Sequence, residues 1–137
     1  MTTSTIRPLP INPETLAPPA GHFDRAIRIG NWLSISGTSA LTNLTGEIED
    51  RILPESFRDQ ANATFDNIEA VLASVGGTLA DIYDFRVTLA DGADFGELND
   101  IFRERLPERG FTGHGFVAGF LAPGMKIEIA ASAYLHS

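Results

Sequence analysis

Short runs of alternating apolar and polar residues punctuate this chain, separated by two stretches with helical spacing. Ala26-Ile27-Arg28-Ile29 reads as a strand, Gly30-Asn31 as a tight turn, and Trp32-Leu33-Ser34-Ile35-Ser36-Gly37 as the returning strand of a hairpin. Residues 38–53, rich in Thr, Asn and Gly, read as a loop. Pro54 then opens a helix with Glu55 in its first turn, favourable for the helix dipole. Phe57, Ala61, Thr64, Phe65, Ile68, Val71, Leu72 and Val75 recur at helical spacing, and Gly76-Gly77 ends the run. From Asp81 to Ala90 the pattern alternates again, with Phe85, Val87 and Leu89 on one side and Asp84, Arg86 and Thr88 on the other. Asp91-Gly92 makes a turn, and Phe95, Leu98, Phe102 and Leu106 mark a second amphipathic helix that stops before Pro107. Part of the Gly-rich but apolar segment 111–121 reads as a strand. Pro123-Gly124 is another turn, and Lys126 to Leu135 forms the last strand.

The predicted order is ββαβαββ, an α+β domain over residues 21–137 preceded by an extended arm. The arm spans residues 1–20, where Pro8, Pro10, Pro13, Pro18 and Pro19 prevent a regular helix. The two helices must cover one face of the sheet to bury their apolar stripes. The other face then carries Arg86, Thr88, Lys126, Glu128 and Ser132 beside the small Ala130, and no helix remains to cover it. Self-association is the simplest solution.

Composition narrows the chemistry. With 137 residues, 43% of them hydrophobic, the chain suits one domain with a real core. The absence of cysteine removes disulfides, thiolate nucleophiles and Cys-based metal sites, and fits a reducing cytoplasm. A net charge of −8 with scattered Lys and Arg disfavours nucleic-acid partners. No signal peptide or apolar run of membrane-spanning length is visible. The expected partners are further copies of the chain and, as a family resemblance in the motifs implies, a small anionic metabolite. No cofactor or metal is called for.

Several segments together resemble one family. Gly21-His22-Phe23-Asp24-Arg25-Ala26-Ile27 with Gly30-Asn31 and Ser36-Gly37 looks like the opening hairpin of the Rid (YjgF-type) family. Asn67-Ile68-Glu69-Ala70-Val71-Leu72, Gly76-Gly77, Leu79-Ala80-Asp81-Ile82, Asp94-Phe95 and Asn99 resemble its helices and middle strand. Leu121, Gly124 and Lys126-Ile127-Glu128-Ile129-Ala130-Ala131 resemble its terminal signature. The resemblance implies a chorismate-mutase-like fold and a homotrimer. Its sheets would face inward as a central barrel, with ligand clefts between subunits. It also implies hydrolysis of enamines or imines to ammonia and a keto acid. The family's water-positioning glutamate corresponds to Glu128, its Ser-Gly to Ser36-Gly37, and its hairpin aromatic, often tyrosine, to Phe23. The arginine that grips the substrate carboxylate falls on Gly113, so the chain departs from the pattern there. The family is sometimes described as an endoribonuclease, which the acidic charge argues against.

The candidate residues each carry two readings. Arg86 points away from the helices toward the Glu128 side; it either replaces the lost arginine or neutralises a neighbouring acid. Glu128 is a general base whose pKa burial would raise, or a structural ion-pair partner. His114, between Gly113 and Gly115, is a proton shuttle or anion ligand, or an ordinary loop histidine. Asn99 binds substrate, or packs and caps the second helix. Arg25 reads as a solvated surface residue within reach of the cleft, and His22 and His136 as structural. Ser36 lacks a nucleophile elbow and reads instead as a strand end whose neighbouring N–H groups hold a carboxylate or oxyanion. The functional expectation is an atypical enamine or imine deaminase acting on a small conjugated carboxylate of the aminomuconate type. The alternatives are a non-catalytic trimer that binds a small acid or a partner, and a different hydrolase, tautomerase or lyase on the same fold.

Overall fold

The structure, a computed structural model, describes residues 7–42 and 47–136. The expectations for residues 1–6 and 43–46 lie outside the described residues. Among those described, the strands form one six-stranded sheet in the order β1-β2-β3-β6-β4-β5, and two α-helices pack on it. The strands are β1 (Leu9–Ile11), β2 (Ala26–Ile29), β3 (Trp32–Thr38), β4 (Ile82–Leu89), β5 (Thr112–Val117) and β6 (Ile127–Tyr134). The helices are α1 (Phe57–Ala73) and α2 (Phe95–Arg105). The expected α+β architecture is present, with one strand more than the sequence pattern gave.

That strand comes from the proline-rich arm. β1 pairs antiparallel with β2, Pro10 opposite Ile27, at the edge of the sheet. An edge strand tolerates proline because its outward N–H has no partner to lose. Helix α1 also begins later than Pro54 suggests. Ser56 is its N-cap, with a hydroxyl that accepts from the Asp59 amide at 3.1 Å. The glycine-rich segment supplies β5, which runs parallel to β4 at the opposite edge.

Alternation sorts the two faces. Leu33 and Ile35 of β3, Phe85, Val87 and Leu89 of β4, and Ile127, Ile129, Ala131 and Ala133 of β6 are buried under the helices. The helices meet them with Phe65, Ile68, Val71, Leu72, Leu98 and Ile101. Phe65, Phe85, Phe102 and Phe111 interlock, with Phe85 edge-on to Phe102 and Phe111 at 5.1 Å in each case. The other face, with Ser34, Arg86, Thr88, Glu128, Ala130 and Ser132, has no layer over it among the described residues. At one end of that face Trp32 is edge-on to Tyr83 (5.8 Å) and Tyr134 (4.9 Å).

Candidate functional site

Glu128 leaves β6 on the bare face, opposite Thr88 of β4. On its other side, β3 slips register between Ile35 and Thr38, so Ser36-Gly37 form a bulge against it. The bulge is pinned to the preceding segment. The Ser36 amide donates to the Arg25 carbonyl at 2.9 Å, and its hydroxyl to the Asp24 carbonyl at 2.7 Å. The Thr38 hydroxyl closes the turn on the Ser36 carbonyl at 2.8 Å. With its hydroxyl so engaged, Ser36 acts as a brace. A Cβ at Gly37 would lie 2.8 Å from the Glu128 carboxyl carbon and collide with an oxygen, so a side chain there would displace the carboxyl group. The carboxyl group therefore rests directly against backbone. Among the described residues no hydrogen bond or ion pair engages it, and partial burial pushes its pKa above the ordinary carboxylate value.

The carboxyl group opens into a cavity of about 380 Å3. Phe23 and Phe120 supply apolar wall, and Phe23 stands 56% exposed at its rim. The floor is Ser36-Gly37 with Glu128. The cations of this lining are Arg25 and Arg51. The Arg25 Nε donates to the Ala17 carbonyl at 2.7 Å, and an Arg51 Nη to the Pro18 carbonyl at 2.7 Å. The arm thus holds both guanidinium groups. Burial lowers the Arg25 pKa, and the neighbouring Arg51 charge lowers it further; burial lowers that of Arg51 too. The reading of Arg25 as a solvated surface residue is corrected by this burial. Arg51 was not singled out by the sequence at all. Its only local signal is a position in a polar loop, and the pairing of Thr42 with Ile52 is what brings it to the cleft.

The remaining candidates lie elsewhere within the chain. Arg86 shares the bare face with Glu128 but sits opposite Ala130, two residues along β6. Its guanidinium pairs with Asp84 at 3.4 Å and reaches Ser132 Oγ at 3.5 Å, and it does not line the Glu128 cavity. Neutralising a neighbouring acid is the role its geometry matches. His114 is on β5 in register with Arg86, not in a loop, with its ring 5.9 Å from that of Phe116. With Asn99 of α2 it lines a separate groove of about 960 Å3 between α2 and β5. Gly113 faces open space where a side chain would begin. His136 bonds Asp81 at 2.8 Å, a surface structural contact. Among the described residues no cluster of three or more potential metal ligands occurs, and no helix is long and apolar enough to cross a membrane.

Fold and cavity together define a small α+β protein with a strand-borne carboxyl group that opens into a cavity of about 380 Å3. The chain belongs to the family described as endoribonuclease L-PSP, whose family model matches residues 14–135. The Rid resemblance is the same family seen in its motifs. A RutC family protein of Pyrococcus horikoshii is 31% identical over 88% of this chain and 93% of that protein. The 3-aminoacrylate deaminase RutC of Acinetobacter baylyi is 27% identical over 91% of this chain and 96% of its own length. The crystal structure of RidA from a Psychrobacter species superposes with a TM-score of 0.81 at 30% identity, covering 91% of this chain and 98% of that one.

Proposed function

We propose that the protein is a Rid-type deaminase that hydrolyses the C=N bond of a small imino acid, with Glu128 as the acid–base group. The observation that carries this reading is the unpaired, partly buried Glu128 carboxyl group, seated against Gly37 in a cavity of metabolite size. In the reaction, Glu128 takes a proton from water as the water oxygen bonds to the imine carbon, and the nitrogen receives that proton. The resulting carbinolamine then loses its C–N bond: the hydroxyl proton passes by way of Glu128 to the nitrogen, ammonia departs and the keto group forms. For an enamine, protonated Glu128 first delivers its proton to carbon, giving the imine. A carboxyl group with a raised pKa is suited to both directions of transfer. Relatives named 3-aminoacrylate deaminase and 2-iminobutanoate/2-iminopropanoate deaminase support the reaction class. An aminomuconate-type substrate remains within the same proposal as a larger member of that class. The ribonuclease wording of the family is not carried over, since a net charge of −8 repels phosphate backbones.

We further propose a homotrimer in which the bare sheet faces meet as a barrel. Asn99 and His114 lie toward the β5 edge, away from the Glu128 cavity. They would enter the cleft from a neighbouring subunit. The test of the deaminase reading is ammonia release from 2-iminopropanoate and from 2-aminomuconate, each generated enzymatically in the cuvette. Wild-type protein should accelerate at least one, and Glu128→Gln should lower kcat by about 100-fold or more. The non-catalytic reading, favoured by Gly113, gains if the wild type is silent with both.

A further inference from the structure

We infer that Arg25, with Arg51 beside it, is the anion anchor of the Glu128 cavity and holds the carboxylate of the substrate in place of the arginine missing at Gly113. This inference rests on the deaminase reading for the identity of the substrate, but not for the existence of the anion site. The ionisable side chains of the cavity lining are two arginines and Glu128, inside a protein of net charge −8. Arginine side chains gathered at a cavity in an acidic molecule favour small anions at that point of the surface.

Arg58, Arg86, Arg103 and Arg105 each pair with an acidic side chain, and Arg7, Arg28 and Arg109, which among the described residues do not, lie outside the cavity lining. Arg25 is partly buried and pairs with none among the described residues; its Nε is occupied by the Ala17 carbonyl, and its terminal nitrogens carry no protein hydrogen bond. The burial and the nearby Arg51 charge both disfavour its cationic form, as the lowered pKa reflects. A bound carboxylate relieves both, by accepting from the free edge of the guanidinium and by screening one cation from the other. The arm carbonyls fix the two arginines before any ligand arrives, so little ordering is needed on binding. Glu128 forms no bond with either arginine, and this leaves a gap between cation and carboxyl group for the ligand. The class of ligand follows: a short acid carrying its reactive C=N or C=O next to the carboxylate, such as a 2-imino or 2-oxo acid.

Pyruvate, the keto product of 2-iminopropanoate hydrolysis, and its uncharged analogue pyruvamide are the probes, titrated into the whole protein by calorimetry. Wild-type protein should bind pyruvate more tightly than pyruvamide. Arg25→Gln should weaken pyruvate by about 10- to 100-fold while leaving pyruvamide within a few-fold. Wild-type affinity in Arg25→Gln, equal loss of both probes, or loss in Arg86→Gln instead, overturns the inference; so does a wild type with no saturable pyruvate binding. If Arg25→Gln does not fold, Arg25→Lys decides: the lost two-pronged contact should still cost about 10-fold in pyruvate affinity, and unchanged affinity overturns the inference. The deaminase reading fails separately, if pyruvate binding depends on Arg25 and yet no imine is hydrolysed.

Discussion

In the proposed reaction the chemistry turns on Glu128, and the environment of this residue has a consequence for pH. Burial raises its folded pKa, while the unfolded chain restores the ordinary value. Between those two values the folded protein holds more protons than the unfolded one, so stability falls as pH rises through that window. Glu128→Gln should therefore unfold at a higher temperature than wild type above the window, and the difference should vanish below the ordinary carboxylate value. Thermal melts across pH check this; a variant less stable than wild type at neutral pH would mean that the carboxylate has a partner. Turnover should show an acid limb centred above the ordinary carboxylate range, because the base must be ionised to begin hydrolysis. The alternation of the last strand gave Glu128 its face, and the family resemblance gave it its candidate role. Arg25 and Arg51 were not legible in the sequence, because the carbonyls that hold them are 8 and 33 residues away and say nothing about a guanidinium in advance. For Arg86, alternation predicts the face the side chain leaves from, while Asp84, its partner in the chain, decides where the charge ends.

At the scale of elements, helix α1 supports the cavity through one buried amide. Gln60 is 1% exposed; its Nε2 donates to the Pro54 and Gly124 carbonyls, both at 2.9 Å, and its Oε1 accepts from the Lys126 amide at 2.8 Å. These bonds clamp the turn before β6, close to Ala122 and Met125 of the cavity wall. Gln60→Leu keeps the volume but strands three backbone groups, and should cost about 3 kcal/mol in chemical denaturation. A loss under about 0.5 kcal/mol, within the range of ordinary surface changes, would show that the turn holds without it. The helices and the longer strands were readable because apolar spacing is strong over ten residues or so. β1 was not, since a three-residue edge strand centred on Pro10 has no pattern to show. The bulge at Ser36-Gly37 is equally silent, being a relation between β3 and β6 rather than a property of either.

At the scale of the molecule, the described residues leave one face of the sheet uncovered, with Trp32 55% exposed beside Tyr83 and Tyr134. An aromatic cluster on a bare sheet calls for a partner surface. Light scattering should give three times the chain mass, and Ala130→Glu, a charge at the middle of that face, should reduce it to one; a monomeric wild type would remove the barrel. The central claim is that one cavity binds the acid and brings its reactive carbon to Glu128. The most direct measurement is a crystal structure with 2-oxobutanoate, the product expected from 2-iminobutanoate. The account predicts its carboxylate on Arg25 and its carbonyl carbon facing Glu128 across the Ser36-Gly37 bulge. Density instead in the groove between α2 and β5, with Glu128 turned away from the ligand, would contradict it.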